Sequence, residues 1–176
     1  MEKDNHTNGI EQFFDKSDII VSKTDLKGRI TYVNQVFIDI SGYTEEELLG
    51  APHSILRHSK MPRCVFKLLW DTIQNKQEIF AYVMNKCKNS DYYWVLAHVT
   101  PSINDSGQVD GYHSNRRVPD PEIVKTVISP LYQSLLGEEQ RHKNAKEGMN
   151  KGFEMLVNIL NEKGIAYDEF VFSLNR

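Results

Sequence analysis

The residues best equipped for chemistry lie between His53 and Trp70, in the run HSILRHSKMPRCVFKLLW. Two histidines, Arg57, Lys60 and Arg63 surround Pro62, and an apolar stripe containing a tryptophan follows. A core helix has no use for the basic cluster, and a surface loop has no use for the tryptophan. Together they read as the wall and mouth of a ligand pocket. His53 and His58 stand five apart, which is not a helical pair, so they do not read as metal ligands. Cys64 and Cys87 make neither a disulfide framework nor a zinc set. Nothing resembles a Ser/His/Asp set, a P-loop or a kinase motif, so binding rather than catalysis is expected.

Bulk properties narrow the partners. A net charge of -3 over 176 residues gives no electrostatic case for nucleic acid. No apolar run approaches the roughly 18 residues of a membrane span, and the polar start MEKDNHTNG lacks the core of a secretion signal. The expectation is a cytoplasmic protein in a reducing compartment, with no direct membrane insertion.

The elements that must position the run can be read in order. Residues 1–9 are polar and read as disordered. Ile10, Phe13 and Phe14 then form an amphipathic turn at i, i+3, i+4. DIIVSKT (18–24) and RITYV (29–33) read as strands of a hairpin turning at Asp25–Gly28. Asn34 can cap a short helix with Val36, Phe37 and Ile40 that stops at Gly42. Thr44 and Glu47 make a capping box for a second short helix, stopped by Gly50. Residues 51–61 have no period. Pro62 opens a helix with Val65, Phe66, Leu69, Trp70 and Ile73 as its stripe.

Three strands follow, over 78–86, 92–101 and 109–118, with turns at 88–91 and 104–107. In the first of them Phe80, Tyr82 and Met84 share one face, and Ala81, Val83 and Asn85 share the other. The helices are too few to cover both faces of a sheet. The economical fold is α+β: one five-stranded antiparallel sheet with helices on one face and a pocket between them. Beyond Pro119 and Pro121, Ile123, Val127, Leu131 and Leu135 recur every four residues until Gly137 interrupts. After a polar stretch, Phe153, Leu156, Val157 and Leu160 form a second stripe that Gly164 stops. The tail AYDEFVFSL is partly apolar with no obvious cover. The chain therefore divides into an N-terminal cap (1–14), a main domain (15–118) and a C-terminal helical extension (119–176).

The order of elements over roughly 15–118 resembles a PAS domain. The match extends beyond element order. DLKGRITYVNQVFIDISGYTEEELLGAPHSILRHSKMP, VFKLLWDTI, NKCKNSDYYWVLAHVTP and GYHSNRR resemble the flavin-binding PAS domain of bacterial aerotaxis, or energy-taxis, receptors. The PLY at Pro130–Tyr132 continues the similarity. The resemblance implies FAD as cofactor and the sensing of redox state or respiratory flux. Receptors of that family carry a membrane anchor and a methyl-accepting signalling region on the same chain, and neither is seen here. The expectation is a stand-alone PAS subunit of a bipartite energy-taxis system, signalling to a membrane-bound chemoreceptor-like partner. A homodimer through Phe13 and Phe14 is the other association the family suggests. The alternatives are a PAS interaction module without flavin, and a haem or other small-molecule sensor.

Carried onto this sequence, Asn34, Arg57, His58, Trp70 and Asn85 match cofactor-associated positions, with His53 and His58 near the pocket mouth. Trp70 would stack on or edge the flavin ring. Asn85 would offer a donor and an acceptor to its polar edge. Arg57 would pair with pyrophosphate or the reduced ring, and the histidines would contact ribose or phosphate. Each also has a plainer reading: a helix cap for Asn34, core for Trp70, a satisfied strand group for Asn85, a solvated charge for Arg57. Photosensing flavin domains place a cysteine in a GxNCRFLQ-like helix, and GAPHSILRH has none there. Ser90 stands where the family's hairpin usually has glycine.

Overall fold

The computed structural model describes residues 9–174, so the expectation of disorder over the first residues falls almost wholly outside it. Five antiparallel strands form one sheet in the order β2-β1-β5-β4-β3. They are β1 (Ile20–Thr24), β2 (Ile30–Val33), β3 (Ile79–Lys86), β4 (Tyr92–Ile103) and β5 (Val109–Arg117). β5 lies at the centre although it is last in the chain, so its side chains face the middle of whatever covers the sheet.

One face is covered by α1 (Gln35–Ser41), α2 (Glu45–Leu48), a 3-10 turn (His53–Leu56) and α3 (Arg63–Gln74). The capping signals act as expected. Asn34 caps α1 through Phe37 N, Gly42 ends it in the left-handed conformation, and Thr44 with Glu47 closes a full capping box on α2. The segment without periodicity is tied down at both ends by backbone bridges, Arg29 to Pro52 and Arg57 to Asn85. It therefore runs across the sheet as a fixed strap.

The extension begins with α4 (Pro121–Ile123), widens into a π-helical stretch (Val124–Ile128) and continues as α5 (Ser129–Gln140). Pro130 has no N–H to give the preceding turn and its ring crowds that turn, which accounts for the widening. Gly137 does not interrupt the helix, contrary to expectation: it sits within α5, where a helical backbone remains available to glycine. Then come α6 (Ala145–Lys163) and α7 (Tyr167–Ser173).

The 121–140 helix packs on its own sheet, on the face away from α1–α3. Tyr132 donates from its hydroxyl to Tyr82 O at 2.7 Å and leans on Trp94. Its far end reaches α3 past β3, and α6 packs on both α3 and α5. α7 covers β3, with Phe172 against Phe80, so the apolar tail has a cover after all: Phe170 and Val171 are buried. The N-terminal turn is absent. Residues 10–12 instead pair with Tyr92, because Gln12 N donates to Tyr92 O and Tyr92 N donates to Ile10 O. No helix among the described residues is long and apolar enough to cross a membrane.

Candidate ligand-binding cavity

A cavity of about 390 Å³ lies between the sheet and α3, within the size range of small-molecule sites. α3 supplies its outer wall through Phe66, Leu69, Trp70 and Ile73, one face of a helix at i, i+3, i+4, i+7. The sheet supplies the floor through the alternate residues Val83 and Asn85, Ala97 and Val99, Tyr112, Ser114 and Arg116, and Ser22. The strap supplies His53, Ser54 and Arg57. Trp70 is held edge-on against Tyr112, with ring centroids 5.5 Å apart. It also abuts Gly28, whose φ of +76° is the left-handed backbone of the β1–β2 turn.

Four of the six residues singled out from the sequence line this cavity: His53, Arg57, Trp70 and Asn85. Asn34 does not, because its side chain is fully occupied. It accepts from Val21 N and Phe37 N and donates to Ile19 O, joining β1 to the start of α1. His58 does not line it either. Its ring is buried against Tyr92 and its Nδ1 accepts from Lys60 N, because the backbone bridge at Arg57 turns the next side chain away. These two therefore set the shape of the strap and of β1 rather than facing the cavity.

The residue that sequence reading missed is Arg116. It is 3% exposed at the cavity floor, donating to Ser22 Oγ at 2.6 Å and to His53 Nε2 at 2.7 Å, with its guanidinium over the Phe37 ring. A guanidinium can only donate, so His53 Nε2 accepts and the ring is neutral with its proton on Nδ1. Burial, reinforced by the Arg116 charge, pushes the His53 pKa down to about 3. Burial likewise brings Arg116 down to about 10, still charged near neutrality. Strand alternation was the available signal: Tyr112, Ser114 and Arg116 share the face that Asn85 shares across the sheet.

Three buried polar atoms on the lining have no hydrogen-bond partner: Asn85 Nδ2, Ser114 Oγ and Arg116 Nη1. Leaving such an atom unpaired costs on the order of 1–3 kcal/mol each. Natural cores seldom keep several in one place unless something completes them. The charge balance is one-sided as well. Among the described lining residues Lys27, Arg57 and Arg116 are basic and none is acidic. No cysteine lines the cavity. The Cys64 and Cys87 thiols are buried elsewhere, and burial raises the pKa of both.

A five-stranded antiparallel sheet with short helices and a ligand-sized cavity on one face defines the class. A family model described as the PAS fold matches residues 30–116, and this domain is a PAS domain. Over 117 residues it is 40% identical to the aerotaxis receptor of Escherichia coli (strain K12), covering 66% of this chain and 22% of that one. Over 103 residues it is 27% identical to the nitrogen fixation regulatory protein of Klebsiella pneumoniae, covering 58% and 21%. The chain thus spans about a fifth of these relatives. Among solved structures, the dark state of the blue-light photoreceptor Aureochrome1 LOV superimposes with a TM-score of 0.56 at 19% identity, covering 63% of this chain and 83% of that one. A light-oxygen-voltage domain studied with a flavin analogue gives 0.56 at 16% identity, covering 64% and 84%. These structural likenesses carry the fold.

Proposed function

We propose that this PAS domain holds a flavin, as FAD, in the cavity and reports its redox state to a partner protein. One observation carries the reading: three residues of the lining each hold an unpartnered buried polar atom, in a cavity whose charged lining residues among those described are all basic. The residues present fit a flavin. Trp70, Leu69 and Val99 offer flanks to a flat ring, and Asn85 offers its side-chain amide to its polar edge. Lys27 and Arg57, both exposed at the lining, would hold a pyrophosphate. When bound, a flavin supplies reversible two-electron chemistry, in which two electrons and one proton taken up leave one added negative charge on the ring system.

The protein's part is to bind, orient and respond. The lining groups that answer a charge change are Arg116, Asn85 and Ser114, all on the floor formed by β3 and β5. The opposite face of the same sheet carries Trp94 and Tyr82, on which Tyr132 of α5 rests. A shift in the floor is therefore felt by the extension, the two-state element that a local charge change would bias. Resemblance to aerotaxis receptors supports a membrane-bound chemoreceptor-like partner for a cytoplasmic sensor. Ile10 and Phe13, 71% and 70% exposed, are apolar groups available to that partner.

Mass spectrometry of the small molecule released by denaturing freshly purified protein tests the reading, with FAD as the expected product. FMN alone would keep the flavin and remove the FAD assignment. A cavity empty even after incubation with FAD would leave a PAS module that serves association only.

A further inference from the structure

Arg116 is the one lining residue whose placement is hard to explain without a ligand. It is a charged side chain at 3% exposure. Its Nη2 is shared between a serine hydroxyl and a neutral imidazole, both uncharged acceptors, and its Nη1 has no partner. No ion pair joins it to an acidic side chain among the described residues. The other charged groups on the lining, Lys27 and Arg57, are of the same sign. Burying a lone cation is costly even after relaxation, and folds retain one where an anion completes it.

His53 fits the same picture. It is neutral, it accepts from Arg116, and its backbone N is fixed by Gly28 O at 2.9 Å. It thus orients the guanidinium without neutralising it. Ser22, on β1, accepts from the same Nη2. The charge is therefore fixed in place, with Nη1 left unpartnered on a side chain that lines the cavity.

We propose that Arg116 is a preset positive charge that selects the ligand by its charge state, so that the cavity holds the reduced flavin more tightly than the oxidised one. This rests on the flavin reading and adds the residue that sets its poise. Reduction adds one negative charge to the ring system. In a site of low dielectric, a fixed guanidinium favours that state. By linkage, tighter binding of the reduced form raises the midpoint potential of the bound couple. Arg116 is here a tuning residue, and Ser22 and His53 are positioning residues acting through it.

The test compares wild type, R116K and R116Q, each loaded with FAD and titrated with dithionite as the two-electron reductant against a reference dye. R116Q is expected to lose at least tenfold in preference for the reduced form, which for a two-electron couple is about 30 mV downward. R116K keeps the charge and is expected to fall nearer wild type. A second measurement is thermal unfolding of the flavin-free proteins, where R116Q is expected to be at least as stable as wild type because an unpaired buried charge is gone. An R116Q protein that holds flavin at an unchanged potential overturns the proposal. So does a flavin-free R116Q markedly less stable than wild type, since that marks Arg116 as structural. Wild type that takes up no flavin sinks the flavin reading itself, a result distinct from either.

Discussion

At the scale of single residues, the cavity depends on contacts with no slack. Gly28 sits at φ +76°, and a β-carbon there would lie 3.0 Å from the Trp70 ring atoms Cζ2 and Cη2. Gly28→Ala therefore strains the turn and pushes the tryptophan at once. The expected loss is about 1–2 kcal/mol in urea unfolding, with weaker FAD retention after desalting. Full retention at wild-type stability would mean the Trp70 wall is not set by this turn. His53 gives a pH signature. Its pKa falls from the ordinary 6.5 to about 3, so on acidification the unfolded chain binds a proton that the fold refuses. Its contribution is fully present above about pH 6.5 and is lost as pH falls from there toward 3. Burial shifts His58 and His113 in the same direction. Stability should drop by up to about 1.4 kcal/mol per pH unit from His53 alone. His53→Asn should flatten that slope, and an unaltered slope would show that the ring is not held neutral.

At the scale of elements, the extension is fastened to the cavity wall by one carboxylate. Glu139 of α5 is buried and accepts from Arg63 N at 2.9 Å and Cys64 N at 2.8 Å, capping α3 from a neighbouring helix. Pro62 precedes α3 and provides no side-chain cap of its own, which leaves those N–H groups open. α6 closes over this contact through two glycines. A β-carbon on Gly148 would lie 2.3 Å from Glu139 O, and one on Gly152 would lie 2.9 Å from Glu139 Cγ. Gly→Ala inside a helix ordinarily stabilises by up to about 1 kcal/mol. Here Gly148→Ala is expected to lower the melting temperature instead, and a rise would show that α6 does not pack this closely. Glu139→Ala should cost about 1–2 kcal/mol, from the lost cap. In the hairpin between β3 and β4, Ser90 has φ +74°, so Ser90→Gly should stabilise by up to about 1 kcal/mol.

Legibility follows from range. The capping box at Thr44, the glycine stops and the five strands are signalled within a few residues of themselves. Trp70 and Asn85 were accessible because helix and strand periods say which face they take. Arg116 required knowing that the last strand is the central one, and Glu139 required a contact between residues 76 apart. Asn34 shows the converse limit: a polar residue beside a cavity can be wholly engaged by nearby backbone, whereas His58 is turned away with its Nδ1 alone engaged. The turn expected at Ile10, Phe13 and Phe14 does not form: the three apolar residues fit a helical spacing, but backbone pairing of residues 10–12 with Tyr92 at the start of β4 sets the course of the chain.

At the scale of the molecule, cavity, sheet and extension form one connected path. The ligand would touch β3, β5 and α3; α5 lies on the far side of the same sheet and grips the start of α3. On the proposed reading, the extension would respond to what the cavity holds through this shared sheet. That function depends first on the cavity holding a flavin. The most direct measurement is the absorbance spectrum of freshly purified protein, repeated after incubation with FAD and desalting. The expected result is a flavin spectrum that stays with the protein and bleaches on reduction. A protein that remains colourless through both steps would contradict the account.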